Sequence, residues 1–120
     1  MRFTIETAGD IRVVVVQQSL DGGWETFALK DRISGLIQEG ARKFIIDLEA
    51  AHFVNSTGIG VMVAILASVR AAGGRVKFSS IGDRVRRSLI ATSGGIWESL
   101  DVCPNLETAI AAFGAFHADS

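Results

Sequence analysis

One cysteine, one proline and no tyrosine occur in 120 residues, and the shortage of cysteine closes off whole classes of protein. A lone thiol, Cys103, makes no internal disulfide, and no Cys/His cluster has metal-ligand spacing, so neither a disulfide scaffold nor a metal centre is expected. Charge excess is missing too. Twelve Lys and Arg stand against thirteen Asp and Glu, a net charge of -1, which provides no field to gather nucleic acid or anionic lipid. The longest apolar run, Ile59 to Val69, is about half what a bilayer-spanning helix needs and reads as a buried helix. The opening segment, Met1 to Asp10, alternates polar and apolar residues and carries Glu6 and Asp10, unlike a secretory signal. The cytoplasm is therefore the expected compartment.

What the chain does have is enough apolar material, 48% of residues, for one packed domain. Phe3 and Ile5 alternate with polar neighbours as in a short, half-exposed strand, and Ile11 to Gln17 is a β-branched run suited to a central strand. After Asp21-Gly22-Gly23 the spacing of Leu29, Ile33, Leu36 and Ile37 predicts a helix from about Glu25 to Gly40. Lys43 to Leu48 reads as a second buried strand. A helix from Ser56 to Ala72 follows, with Ile59, Met62, Val63, Leu66 and Val69 on its packed face and Gly73-Gly74 as its stop. Arg75 to Phe78 resumes a strand, and a short helix from Asp83 carries Val85 and Leu89. Gly94-Gly95 ends that region, Ser99 to Val102 forms a brief last strand, and Pro104 opens a helix containing Leu106, Ala109, Ile110 and Phe113. Trp24 and Trp97 are expected in the core or as staples. The order ββαβαβαβα predicts an α/β domain, a mixed and mostly parallel sheet of four to five strands covered by about four helices. The domain is placed at residues 1–116, with 117–120 as a frayed tail.

The segment from Asp47 to Gly60 joins a buried strand to a helix and holds the chemistry. Asn55 suits an N-cap, which puts Ser56 and Thr57 in the first turn, where backbone N–H groups lack partners inside the helix. A phosphate on Ser56 would be stabilised by the helix end and would repel a partner docked over the loop. By residue type alone, Asn55-Ser56-Thr57 is equally a plain capping sequence, and Gly58 and Gly60 equally serve close helix–sheet approach.

The wider pattern, Asp-Leu, a loop, an apolar pair and then Asn-Ser-Thr-Gly-Ile-Gly, resembles the signature of STAS domains of the bacterial anti-sigma factor antagonist type. The resemblance extends to Leu20-Asp21 after the second strand, to Arg75-Val76-Lys77-Phe78, and to Val85 through Gly94. Two positions depart from the family's usual pattern: Asn55 replaces a frequent Asp, and Gln18-Ser19 replaces a frequent Gly-Glu. The resemblance implies a phosphorylation-controlled binding switch. Unphosphorylated, it binds an anti-sigma factor that is also an ATP-dependent Ser kinase and so frees a sigma factor. Phosphorylation of Ser56 releases that partner, and a phosphatase restores binding. ATP belongs to the partner, no cofactor belongs to this chain, and Asp21, Asn55, Thr57 and Gly58 lie near the docked kinase.

Other readings are weaker. A Ser56 nucleophile would need Gly at position 54 to complete an elbow, where Val54 stands, and the only downstream histidine is His117, so a small serine hydrolase is disfavoured and no catalytic residue is assigned. His52 reads as a surface residue, Gly58-Ile59-Gly60 lacks the rest of a nucleotide fingerprint, and Asp47 reads as structural. Arg84 and Arg87 share a helix face open to an acidic partner. The main alternative is a constitutive STAS interaction module, a scaffold or transport-complex subunit in which the serine is not regulated.

Overall fold

The computed structural model of the chain describes residues 3–21, 23–92 and 95–118; the side chains of Glu25 and of residues 115–118 fall outside it. Gly22, Gly94 and the side chain of His117, each singled out from the sequence, therefore lie outside the described residues, as do residues 119–120 of the expected tail.

Strands β1 (Phe3–Ala8) and β2 (Ile11–Val16) form an antiparallel hairpin whose turn passes through Gly9 at φ +64°. That left-handed turn costs a glycine little. Beyond it, β3 (Lys43–Asp47), β4 (Arg75–Ser79) and the two-residue β5 (Val102–Cys103) add in parallel, giving a mixed five-stranded sheet in sequential order. Helices α1 (Trp24–Gln38), α2 (Ser56–Ala71), α3 (Asp83–Ala91) and the single turn α4 (Ile96–Ser99) cover one face. Helix α5 (Leu106–Ala118) packs on the other. The backbone of α5 thus runs past the expected domain boundary at 116.

Burial on both faces explains the unbroken apolar runs of β2 and β3. Val14, Val16, Phe44 and Ile46 point to α1–α4, whereas Ile11, Val13 and Ile45 meet Ala109 and Phe113 of α5. Cys103 lies in this second cluster, where burial pushes its thiol pKa up.

Four expectations need correction. The segment expected as a strand, Ser99 to Val102, begins in helical turn α4, and β5 is confined to Val102 and Cys103; the described residues form five helices. Val63 is 42% exposed, while Val61 and Ile65 are buried beside Ile59, Met62, Leu66 and Val69. The α2 sequence is almost wholly apolar, so it offers no polar contrast from which to locate the stripe. Trp24 is 73% exposed and belongs to no core, whereas Trp97 does pack against the main core cluster. Gly60 is exposed, with nothing near an added Cβ, so close approach does not account for it.

Candidate functional site

Because β2, β3 and β4 run parallel, the loops leaving their carboxyl ends emerge on one edge, and α1, α2 and α3 all begin there. That edge is where open α/β sheets present their binding sites. The β2–α1 and β3–α2 loops are zipped together. Leu20 and Val54 form an isolated parallel bridge, in which Leu20 N–H donates to Phe53 O at 3.1 Å and Asn55 N–H donates to Leu20 O at 3.3 Å.

Asn55 ties this junction with both ends of its side chain. Its Oδ1 accepts from Gly58 N–H at 2.9 Å, the N-cap bond of α2, and its Nδ2 donates to Asp21 O at 2.6 Å. Asp21 in turn accepts from Gly23 N–H at 3.0 Å through Oδ1, shaping the entry to α1. Gly58 is buried against the same junction. A Cβ there would collide with the carbonyl oxygen of Leu20, lie 2.8 Å from its carbonyl carbon and 2.9 Å from Val54 Cγ2. Only glycine lets the helix start touch the Leu20 backbone.

Ser56 and Thr57 are both exposed at the start of α2. Asn55, and neither hydroxyl, caps this helix. The first turn of α2 carries no acidic residue, so the positive end of the helix dipole there is uncompensated. No described side chain hydrogen-bonds to the Ser56 hydroxyl, and His52 is exposed.

On the far side of Ser56, the β4–α3 connection turns at Ser80, which adopts φ +60°. It brings the guanidinium of Arg84 to 5.4 Å from the centre of the Phe53 ring, a cation–π contact across the two loops. Arg86 and Arg87 are exposed on the same helix. Asp47, at the end of β3, is buried and accepts from Ser79 Oγ at 3.3 Å and Glu49 N–H at 3.4 Å, a structural role as expected. The sequence reading missed the Arg84–Phe53 stack and the exposed Phe27 of α1. No local signal marks the first, because it depends on two connections meeting; the second stood out only as an aromatic residue off the Leu29–Ile33–Leu36 stripe.

The architecture defines a small α/β domain with an exposed serine at a rigid, three-loop edge. The STAS domain family model matches residues 2–109, and the chain belongs to that family. Several solved structures share its fold. RsbS from Moorella thermoacetica, in a substituted form, aligns with a TM-score of 0.84 at 18% identity, over 98% of this chain and 99% of that one. An anti-sigma factor antagonist from Mycobacterium paratuberculosis gives 0.74 at 24% identity, over 92% and 91%. The Bacillus cell fate determinant SpoIIAA in its phosphorylated form gives 0.71 at 22% identity, over 92% and 98%. At these identities the likeness speaks for the fold.

Proposed function

We propose that this STAS domain is a cytoplasmic, phosphorylation-controlled binding switch with Ser56 as its acceptor. Unphosphorylated, it docks an anti-sigma factor that is also a Ser kinase and carries ATP; phosphorylated, it releases that partner until a Ser phosphatase resets it. The carrying observation is the exposure of the Ser56 hydroxyl at an uncompensated helix N-terminus on an edge fixed by Asn55, Gly58 and the Leu20–Val54 bridge. A nucleophile would need an oriented base within hydrogen-bonding reach, whereas a phosphoacceptor needs only access for a partner's nucleotide. Asp21 and Thr57 are exposed contacts beside it, and Asn55, half-buried, fixes the surface from beneath.

Phosphate adds roughly -1.5 to -2 charges at neutral pH. Opposite a kinase-bound nucleotide this charge weakens docking, by about 1–3 kcal/mol for a typical coupling. The test is incubation with candidate anti-sigma kinases and ATP, site mapping by mass spectrometry, and titration of Ser56→Ala and Ser56→Asp against the kinase that reacts. Ser56→Ala should bind and not be released by ATP, and Ser56→Asp should bind weakly. Modification at Thr57, or Ser56→Asp binding as tightly as wild type, returns the domain to the class of constitutive modules.

A further inference from the structure

Among the described residues five large apolar side chains are exposed, and their placement is uneven. Single exposed apolar residues are ordinary on any protein surface. Trp24 and Phe27 are different, because they are 73% and 47% exposed and lie three residues apart, on adjacent positions of one helical face. That face points away from Leu29, Ile33 and Leu36, which bury α1 against the sheet. The domain's own packing therefore has no use for either ring.

Their location is equally specific. Trp24 opens α1, directly after its N-cap Gly23, whose N–H is bonded to the Asp21 side chain; the Asp21 carbonyl is bonded to Asn55, the cap preceding Ser56. Three residues of chain separate Trp24 from Asp21, at most roughly 10 Å. The aromatic pair is thus continuous with the edge that displays Ser56. Along the same outward face, Asp31 follows Phe27 by one turn and is exposed, as is Asp21 at the near end. Asp31 is flanked by half-buried Lys30 and exposed Arg32, so the margin of the stripe carries charges of both signs.

We infer that Trp24 and Phe27 are the aromatic anchors by which the Ser56 kinase docks, filling an apolar cleft on that partner with a basic group placed to meet Asp31. The inference rests on the switch reading and adds to it the surface that gives affinity. Buried aromatic anchors in a desolvated centre carry most of the energy of such interfaces, and charges at the rim set orientation and specificity. A second copy of this chain is the rival occupant, and the continuity of the aromatic pair with the Asp21–Asn55 junction beside Ser56 favours the kinase over it.

The decisive experiment measures Ser56 phosphorylation kinetics with purified Ser-kinase anti-sigma factors from the source genome. The substrates are the wild type, the double variant Trp24→Ala/Phe27→Ala, Asp31→Lys, and Ile90→Ala as an exposed apolar residue on another helix. Thermal melts and sedimentation of each accompany the assay. The double variant should raise KM by roughly tenfold or more with kcat unchanged. Asp31→Lys should raise KM as well, Ile90→Ala should leave it alone, and all should melt like wild type. If the double variant keeps the wild-type KM, the docking inference falls while the switch stands. If wild type is a dimer that the double variant dissociates, the occupant is a second copy and the inference is overturned. If no kinase modifies Ser56 in the wild type, the switch reading itself fails and takes this inference with it.

Discussion

Replacing Gly58 with Ala isolates the contact on which the candidate site is built. In an isolated helix the change would be favourable by up to about 1 kcal/mol, because alanine loses less conformational freedom than glycine. Here the added Cβ meets backbone, the Leu20 carbonyl, with Val54 Cγ2 at 2.9 Å on the other side. A flexible side chain could swing aside, but the Leu20 carbonyl, which accepts from Asn55 N–H while the Leu20 N–H donates to Phe53 O, cannot move without opening the bridge. Overpacking costs about 1–3 kcal/mol. Each of the loop bonds weakened by the separation, Leu20 to Phe53, Asn55 to Leu20 and Asn55 to Asp21, contributes about 0.5–1.5 kcal/mol. Set against the helical gain, the net is a destabilisation of about 2–6 kcal/mol, or roughly 8–24 °C in Tm for a domain of this size. Gly60→Ala, two residues on, is the matched control, since it is exposed with nothing within 4 Å of the new methyl and should gain up to about 1 kcal/mol. Thermal melts followed by circular dichroism should therefore move in opposite directions. A Gly58→Ala midpoint at or above that of wild type would refute the close-approach reasoning.

Leu66→Ala should cost about 2–5 kcal/mol in urea unfolding, toward the lower half because Leu66, 6% exposed, also lines a groove between α2 and α4 that can close partly over the gap. No loss of midpoint would contradict its packing. Asn55→Ala should cost about 1–2 kcal/mol for the cap alone. It should also speed amide exchange at Gly58 and in the Leu20 loop, and unchanged exchange at both places would argue against the double tie. The Lys43 ammonium, 2.7 Å from Asp10, holds that carboxyl below its usual value, so its contribution to stability is present above about pH 4 and lost as pH falls through the folded-state pKa. Wild type and Asp10→Asn should then differ in urea midpoint at neutral pH and converge in acid; an equal gap at both would show that the ion pair is not the cause.

The elements were legible where their signal is local. Asn55 was readable as a cap and Ser56 as the first helical residue because capping depends on residues within one turn, and the bond from Gly58 N–H to Asn55 Oδ1 is 2.9 Å long. The succession of strands and helices along the chain followed from alternating β-branched runs and helical stripes. What stayed hidden depends on meetings between distant segments: Leu20 against Val54, Arg84 over Phe53, and the burial of Gly58 beneath Leu20. Val63 was misplaced for a different reason. When nearly every position of a helix is apolar, periodicity cannot separate the residue that faces the sheet from its neighbour that faces water. Trp24 was misjudged because a large ring is usually buried, and nothing in its local sequence says that α1 turns it outward.

The same ties explain why a charge at Ser56 would act on binding and leave the fold in place. Both ends of the Asn55 side chain are already used, one on α2 and one on the Asp21 loop, so the junction does not depend on the neighbouring serine hydroxyl for any of its bonds. A negative group placed at Ser56 meets the uncompensated N-terminus of α2, where an anion is stabilised by about 0.3–1 kcal/mol. Inside the domain the modification is therefore neutral or mildly favourable. The cost appears when a second surface, with phosphates of its own, is brought against the same point. On the proposed reading the switch needs no conformational change in this chain: the edge would present the charge, and the partner would experience the repulsion.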